Sequence, residues 1–507
     1  MEGVTDGIKD ITSGQELHHE IFGSVLDRTE MTPYLLLRAG DYETALGQAT
    51  KMMGNRGFDT VEDELHESEK KRALKYVEQA YRYFLYSMFP FVKKQLEALL
   101  PLNSGNAPLY RDCLRKIGEI ESTLHTPEFR NIVSDDPRHL FLLASSRKYP
   151  RVFYGYRGGV DMDVPRLWQQ MACSLLKMAH LIKSIEEDSQ DINDYAQLGM
   201  FLEEQGQSLE DLYNYDWQHP ELIPENEAAQ RAFVKISTFF LKLRESLRFD
   251  HEKGCLVFNS GDGVEVDIAD IKSRLKSPES MFTKLGKDVH GEAHNIRDIL
   301  AITFILKSRD DTLKLFHALQ KRGVILQENT ISHSITQTLF DSPESMIEAV
   351  RRLMISLCRS EGKDIVPDDK ELLANARSFY NALGANTAKN PYSSSGHKKF
   401  QCKINFCVPV HRKAGSNEIL IPGTPDYMNR HHIDKKTEQH TLALELRISD
   451  EESWRRSEHG GDSHHDAYKF RQLIAVMNRV FKGVFYFPEE RFARLREDQR
   501  RLFPGVA

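Results

Sequence analysis

The chain has 507 residues, 68 Lys and Arg against 75 Asp and Glu, and a formal net charge of -7. That balance excludes a global pull toward nucleic acid, so any polyanion site must be a local gathering of cations, and the length allows two to four domains with cores of their own. Six cysteines (Cys113, Cys173, Cys255, Cys358, Cys402 and Cys407) with no C-x-x-C pair and no zinc spacing, and an N-terminal stretch without an apolar core segment, predict reduced thiols in a cytoplasm.

Residues 1 to about 235 read as an all-α domain of unstated role, with helical periodicity near 33–53, 62–100, 108–124, 164–186 and 194–213. Gly40-Asp41 breaks a helix-turn-helix pair in the first of these. The most apolar run, Tyr81 to Leu102, contains Pro90 and is interrupted by Lys93, Lys94 and Glu97, so a buried helical hairpin is expected and a membrane span is not. Val152 to Gly159 reads as an aromatic and glycine turn holding Arg157. A helix from Gln230 to Leu247 leads into a second domain, about 236–490. Its predicted strands are Cys255–Phe258 and Val264–Ile268 around the Gly261-Asp262-Gly263 turn, then Ile299–Leu306, Phe400–Val410, Thr441–Ile448 and Val484–Phe487. Helices are expected at Asp311–Lys321, 343–360, 368–383 and Ala467–Phe481. A basic tail, 491–507, closes the chain. Strands mixed with helices in this order predict an α+β domain, a mixed β-sheet flanked by helices.

Between the second and third strands, Arg274, Lys276, Ser280 and Lys284 cross from extended chain into a helix. Ser277-Pro278-Glu279 is a helix start, with Ser as N-cap and Pro where a missing N–H costs nothing. Arg274 and Lys276 are two apart in extended chain and point to one side; Ser280 and Lys284 share a helix face, with Lys287 nearby. Cations at a helix N-terminus suit a triphosphate, and the same residues also suit a solvated basic helix start. Ser-Pro-Glu-Ser-Met recurs at 342–346, but there Leu339, Asp341 and Ala349 stand where Arg274, Lys276 and Lys284 stood, so the second copy is only a cap.

In Thr441–Ile448 the apolar Leu442, Leu444, Leu446 and Ile448 alternate with Glu445 and Arg447, so Glu445 projects from the face opposite the apolar row. Asp298 stands at the start of the Ile299–Leu306 strand. If the two strands are neighbours, carboxylates roughly 4 Å apart repel by about 4 kcal/mol at an effective dielectric near 20, which calls for a cation. Magnesium, held by one or two carboxylates and sharing its other positions with phosphate, fits. Two unrelated polar residues are the alternative. The doublets His18-His19, His431-His432 and His464-His465 lie in no zinc motif, and His290, Glu292 and His294 read as a surface loop.

Taken together, Arg274, Lys276, Ser280, Lys284, Asp298 and Glu445 resemble the synthetase domain of RelA/SpoT alarmone synthetases, a branch of the polymerase-β-like nucleotidyltransferases. A second block, Glu445, Arg447, Ile448, Glu458, Gly460 and His464, is similar to the family's Glu-x-Gln-Ile strand with its Glu-x-Gly and downstream His. Lys389-Asn390-Pro391-Tyr392 with His397 looks like the family's acceptor loop. The resemblance covers about 240–490. It implies that Arg274 clamps a donor ATP, that Lys276, Ser280 and Lys284 hold its phosphates, and that Asp298 and Glu445 carry magnesium. Tyr392 would be the platform for an acceptor guanine, neighboured by Lys389, Asn390 and His397. The implied reaction moves the β,γ-pyrophosphoryl group of ATP to a ribose 3′-hydroxyl, with Glu445 acting as, or adjoining, the base. Four features depart from the family pattern: Thr303 replaces an Arg, Arg447 replaces a Gln, the Tyr392 to His397 spacing is one residue longer, and there are long insertions at about 325–388 and 410–440. They leave two other outcomes open, transfer to an RNA or transfer-RNA end, and a catalytically inactive nucleotide-binding regulator.

Overall fold

The computed structural model describes residues 67–145, 164–188, 190–213, 223–287, 296, 298–331, 334–363, 368–383, 398–422, 424–459 and 464–503. The chain packs as two units whose segments interleave. The first takes Met1–Asp188, Glu279–Ala293 and Asp466–Leu502; the second takes Ser189–Pro278, His294–His465 and Phe503–Ala507. Where the sequence suggests a division at about 235, packing therefore divides the helical region near 188. The predicted helix near 33–53 and the Val152–Gly159 turn fall outside the described residues.

The first unit is helical in its described part. Its backbone stays helical from Glu67 to Leu102, passing through a π-helical stretch at Tyr83–Met88. A continuous helical run thus stands where a hairpin over Tyr81 to Leu102 is expected. Pro90 follows closely on the π-helical stretch, where the Phe89 N–H donates five residues back to the Phe84 carbonyl, and the chain turns only later, at Asn103 with φ 48°. Phe84 and Phe89 meet Phe481 at ring distances of 4.9 and 5.5 Å, and burying each such ring contributes roughly 1.5–3 kcal/mol. Val484–Phe487 is not a strand. Phe485 and Phe487 are buried, and Asn478 satisfies the backbone of Phe487, accepting from its N–H at 2.7 Å and donating to its carbonyl at 2.8 Å. A side chain thus does what a strand partner would do.

The second unit is α+β, as expected. Among the described residues its sheet has seven strands, β1 (Leu247–Asp250), β2 (Cys255–Asn259), β3 (Glu265–Leu275), β4 (Leu300–Leu306), β5 (Thr336–Gln337), β6 (Phe400–Lys413) and β7 (Lys435–Asp450), in the order β1-β2-β3-β4-β7-β6-β5. All neighbours are antiparallel except β4 and β7, which are parallel. One face is apolar: Leu300, Ile302 and Phe304 of β4, Leu444, Leu446 and Ile448 of β7, and Cys402 and Ile404 of β6 are buried. The helix Glu227–Arg244, capped by Asn226 on the N–H groups of Ala228 and Ala229, lays Phe239 against Phe406 at 5.1 Å. The helix Thr312–Lys321 lays Phe316 against Phe400 at the same distance.

β6 and β7 are longer than predicted and pair as far as Lys413 and Lys435, so both ends of the 410–440 insertion are strand. Its tip is roughly 33 Å along the ribbon from Glu445, at about 3.3 Å per residue. No described helix is long and apolar enough to cross a membrane.

Candidate functional site

The other face of the sheet carries the charged candidate residues, and register decides which of them meet. Arg274 pairs with Ala301, Ala301 with Glu445, and Glu445 with Lys403, so one row crosses β3, β4, β7 and β6. The next row holds Lys272, Thr303, Arg447 and Gln401. The β4 and β7 strands are neighbours, the condition under which Asp298 and Glu445 approach each other. The bulge in β3 between Ile268 and Asp270 shifts its alternation, leaving Lys272 and Arg274 on the polar face and exposed.

Each carboxylate already has a cation. Lys276 Nζ lies 2.6 Å from Asp298 Oδ2, and its backbone N–H donates to the Ile299 carbonyl at 2.8 Å, which fixes the end of β3 beside the start of β4. Arg447 donates to Glu445 Oε2 from Nε at 2.7 Å and from Nη2. Burial alone would push the Glu445 carboxyl up, but Arg447, Lys399 and Lys403 outweigh it and hold the group down at about 2. Lys399, just before β6, shows the converse: burial first, then Arg447, push its ammonium down to about 7, against the opposing pull of Glu445 and Asp298. Arg274 is lowered by desolvation and by Arg447, and its Nη1 lies 3.5 Å from His465 Nε2.

Arg274, Lys276, Lys399, Lys403 and Arg447 thus face Asp298, Glu445 and Glu458, cations outnumbering carboxylates. Such a surplus suits a polyphosphate. The donor set also suits a magnesium ion, whose protein ligands are commonly only one or two carboxylates. Both hydrogen bonds that Glu445 accepts from described residues converge on Oε2. No group of three or more His, Cys, Asp or Glu gathers among the described residues.

Ser280 and Lys284 lie on the helix Pro278–Lys287, which begins where Ser277-Pro278 predicts and packs with the first unit, where Tyr83 and Thr283 share a hydrogen bond of 2.8 Å. Four of the predicted residues, Arg274, Lys276, Asp298 and Glu445, belong to the second unit. Lys389, Asn390, Tyr392 and His397 lie outside the described residues, as do His290, Glu292, His294 and Gly460. His464 stacks on Phe503 at 4.3 Å.

The chain matches no family model, no curated protein and no solved structure.

Lys399, Lys403 and Gln401 escaped the sequence reading. The signal was present in the alternation of Gln401, Lys403 and Asn405 with Cys402, Ile404 and Phe406, which puts the polar set on one face. Only the register shows that this face is shared with Glu445.

Proposed function

We propose that the second unit transfers a pyrophosphoryl group from ATP to the 3′-hydroxyl of a guanine nucleotide, in the manner of the RelA/SpoT synthetases and with magnesium. The observation that carries this reading is the row Arg274, Ala301, Glu445 and Lys403, with Asp298 and Lys276 at its margin. Two departures from the family pattern also support it, because Thr303 and Arg447 are register partners: the guanidinium missing from β4 stands on the adjoining strand, in the same row.

Phosphoryl transfer asks a protein mainly for alignment and charge neutralisation. Arg274 and Lys276, near the end of β3, would hold the donor phosphates. Lys399 and Lys403 approach the same face from β6 and would neutralise charge on the acceptor side. A magnesium ion between Asp298 and Glu445 would supply further neutralisation of the transferred phosphates. Glu445, held near 2, is a weak proton acceptor, so its role in this scheme is to carry charge and not to act as the base.

The Arg447–Glu445 contact favours one second reading, a regulator that binds nucleotide without transferring it. The test is to incubate the protein and magnesium with γ-labelled ATP and, separately, GDP, GTP, ATP or deacylated transfer RNA. Labelled GDP or GTP, lost in Asp298→Asn and Glu445→Gln, is the expected result. Labelled RNA would move the acceptor, ATP bound without transfer would favour the regulator, and labelling that survives both substitutions would refute the site.

A further inference from the structure

Arg447 and Glu445 lie two residues apart on β7 and point to the same face. The carboxylate side chain is 4% exposed and the guanidinium 22%, so little water screens their contact. Across the sheet, Gln401 is the register partner of Arg447. The side-chain oxygen of Gln401 is buried with no hydrogen-bond partner among the described residues. An unpaired buried acceptor costs roughly 1–3 kcal/mol, and opposed residues on antiparallel strands have Cβ atoms about 4.5–5.5 Å apart. A second acceptor therefore lies within reach of a side-chain swing by Arg447.

We infer that Arg447 is a two-position latch on the carboxylate pair: on Glu445 it stands in for a divalent cation, and on Gln401 it opens Glu445 to the ion that arrives with a polyphosphate. The inference rests on the proposed reading of Asp298 and Glu445 as a metal-holding pair. The surrounding charges supply the bias. Arg274 from β3 and Lys399, just before β6, repel Arg447 and so favour its contact with Glu445, while Asp298 and Glu458 act in the opposite sense on the same cluster. A bound polyphosphate gives those cations partners of their own and relieves that pressure. Ion and polyphosphate then bind with positive coupling, each raising the affinity for the other.

The experiment is calorimetric titration of the full chain with Mn²⁺, alone and with a non-hydrolysable ATP analogue. Removing a residue that engages a metal ligand changes metal affinity by roughly 10–100-fold, and here the sign is reversed because the residue competes with the ion. Arg447→Gln is expected to bind Mn²⁺ alone more tightly than the unaltered protein by about that factor. Gln401→Ala, which removes the second position, is expected to bind it more weakly. The analogue is expected to narrow the gap between the unaltered protein and Arg447→Gln. Arg447→Lys keeps the charge without the planar fork and guards against a misfolded glutamine variant; its affinity should fall between the two. Equal Mn²⁺ affinity in the unaltered protein and both Arg447 variants overturns the latch alone. If adding Glu445→Gln to Arg447→Gln leaves Mn²⁺ affinity unchanged, the ion does not sit on the pair, and the metal reading falls with the latch.

Discussion

Replacing Glu445 by glutamine should change how stability responds to acid, and the size of the change can be worked out from the site. The carboxyl is held at about 2, against an ordinary value of 4.5, a depression worth about 3 kcal/mol at 1.36 kcal/mol per unit. Because the folded value lies below the unfolded one, this stabilisation is fully present above about 4.5 and is lost as pH falls toward about 2. Glu445→Gln lacks it at every pH and leaves Arg447 facing a neutral amide, so at pH 7 it should be about 3 kcal/mol less stable. Protonated Glu445 resembles glutamine, so the two proteins should converge at the acid end. Urea titrations at intervals between pH 7 and 2.5, followed by a signal from the second unit, measure the difference directly, and the other titrating carboxylates cancel in it. A gap that stays constant across that range would refute the claim that Arg447 and its neighbouring lysines hold Glu445 ionised.

The same geometry sets other outcomes. Lys399, at about 7, is mostly neutral at pH 8; an anion bound beside it should restore its charge, so ATP-analogue binding there should take up about 0.9 proton in calorimetry across buffers of different ionisation enthalpy, and Lys399→Met should take up none. Asp194 and Arg231 form a pair with side chains 1% and 11% exposed, and burial outweighs Arg231 in raising the Asp194 carboxyl. Asp194→Ala should therefore cost about 3–5 kcal/mol, whereas Asp194→Leu with Arg231→Met should be close to neutral, as read by urea melts. In the first unit, Tyr110 donates to the fully buried Asp498 at 2.7 Å; Tyr110→Phe should cost about 1–3 kcal/mol, visible as an earlier thermal transition.

Local chemistry was legible in the sequence. Ser277-Pro278 marks the start of its helix, and the alternation around Glu445 gives the face it occupies. Partnership over long distances was not legible. Periodicity says that the helix Glu227–Arg244 has an apolar side, but not that a sheet is what it covers, so the boundary read near 235 separated that helix's neighbours from the sheet. The hairpin expected over Tyr81 to Leu102 is instead one helical run, in which the π-helical stretch Tyr83–Met88 carries the backbone on to Pro90. Val484–Phe487 carries strand-like residues, but the Val484 and Phe485 N–H groups donate back to the Phe481 carbonyl and Phe487 pairs with the Asn478 side chain. Lys399 and Lys403 could be placed on a face but not beside Glu445, since their nearness depends on how two distant strands align.

The parallel pairing of β4 with β7 also orders the birth of the site in time. Ala301 and Glu445 are register partners 144 residues apart in the chain, and at about 5–20 residues per second a ribosome needs roughly 7–30 seconds to pass from one to the other. Through that interval β4 can pair with β3, which precedes it, but its other edge waits unpaired. Asp298 gains its lysine early and its partner carboxylate late. A nascent chain can thus assemble the cationic side of the site well before the other carboxylate exists, and the waiting edge of β4 is where early misassociation would begin.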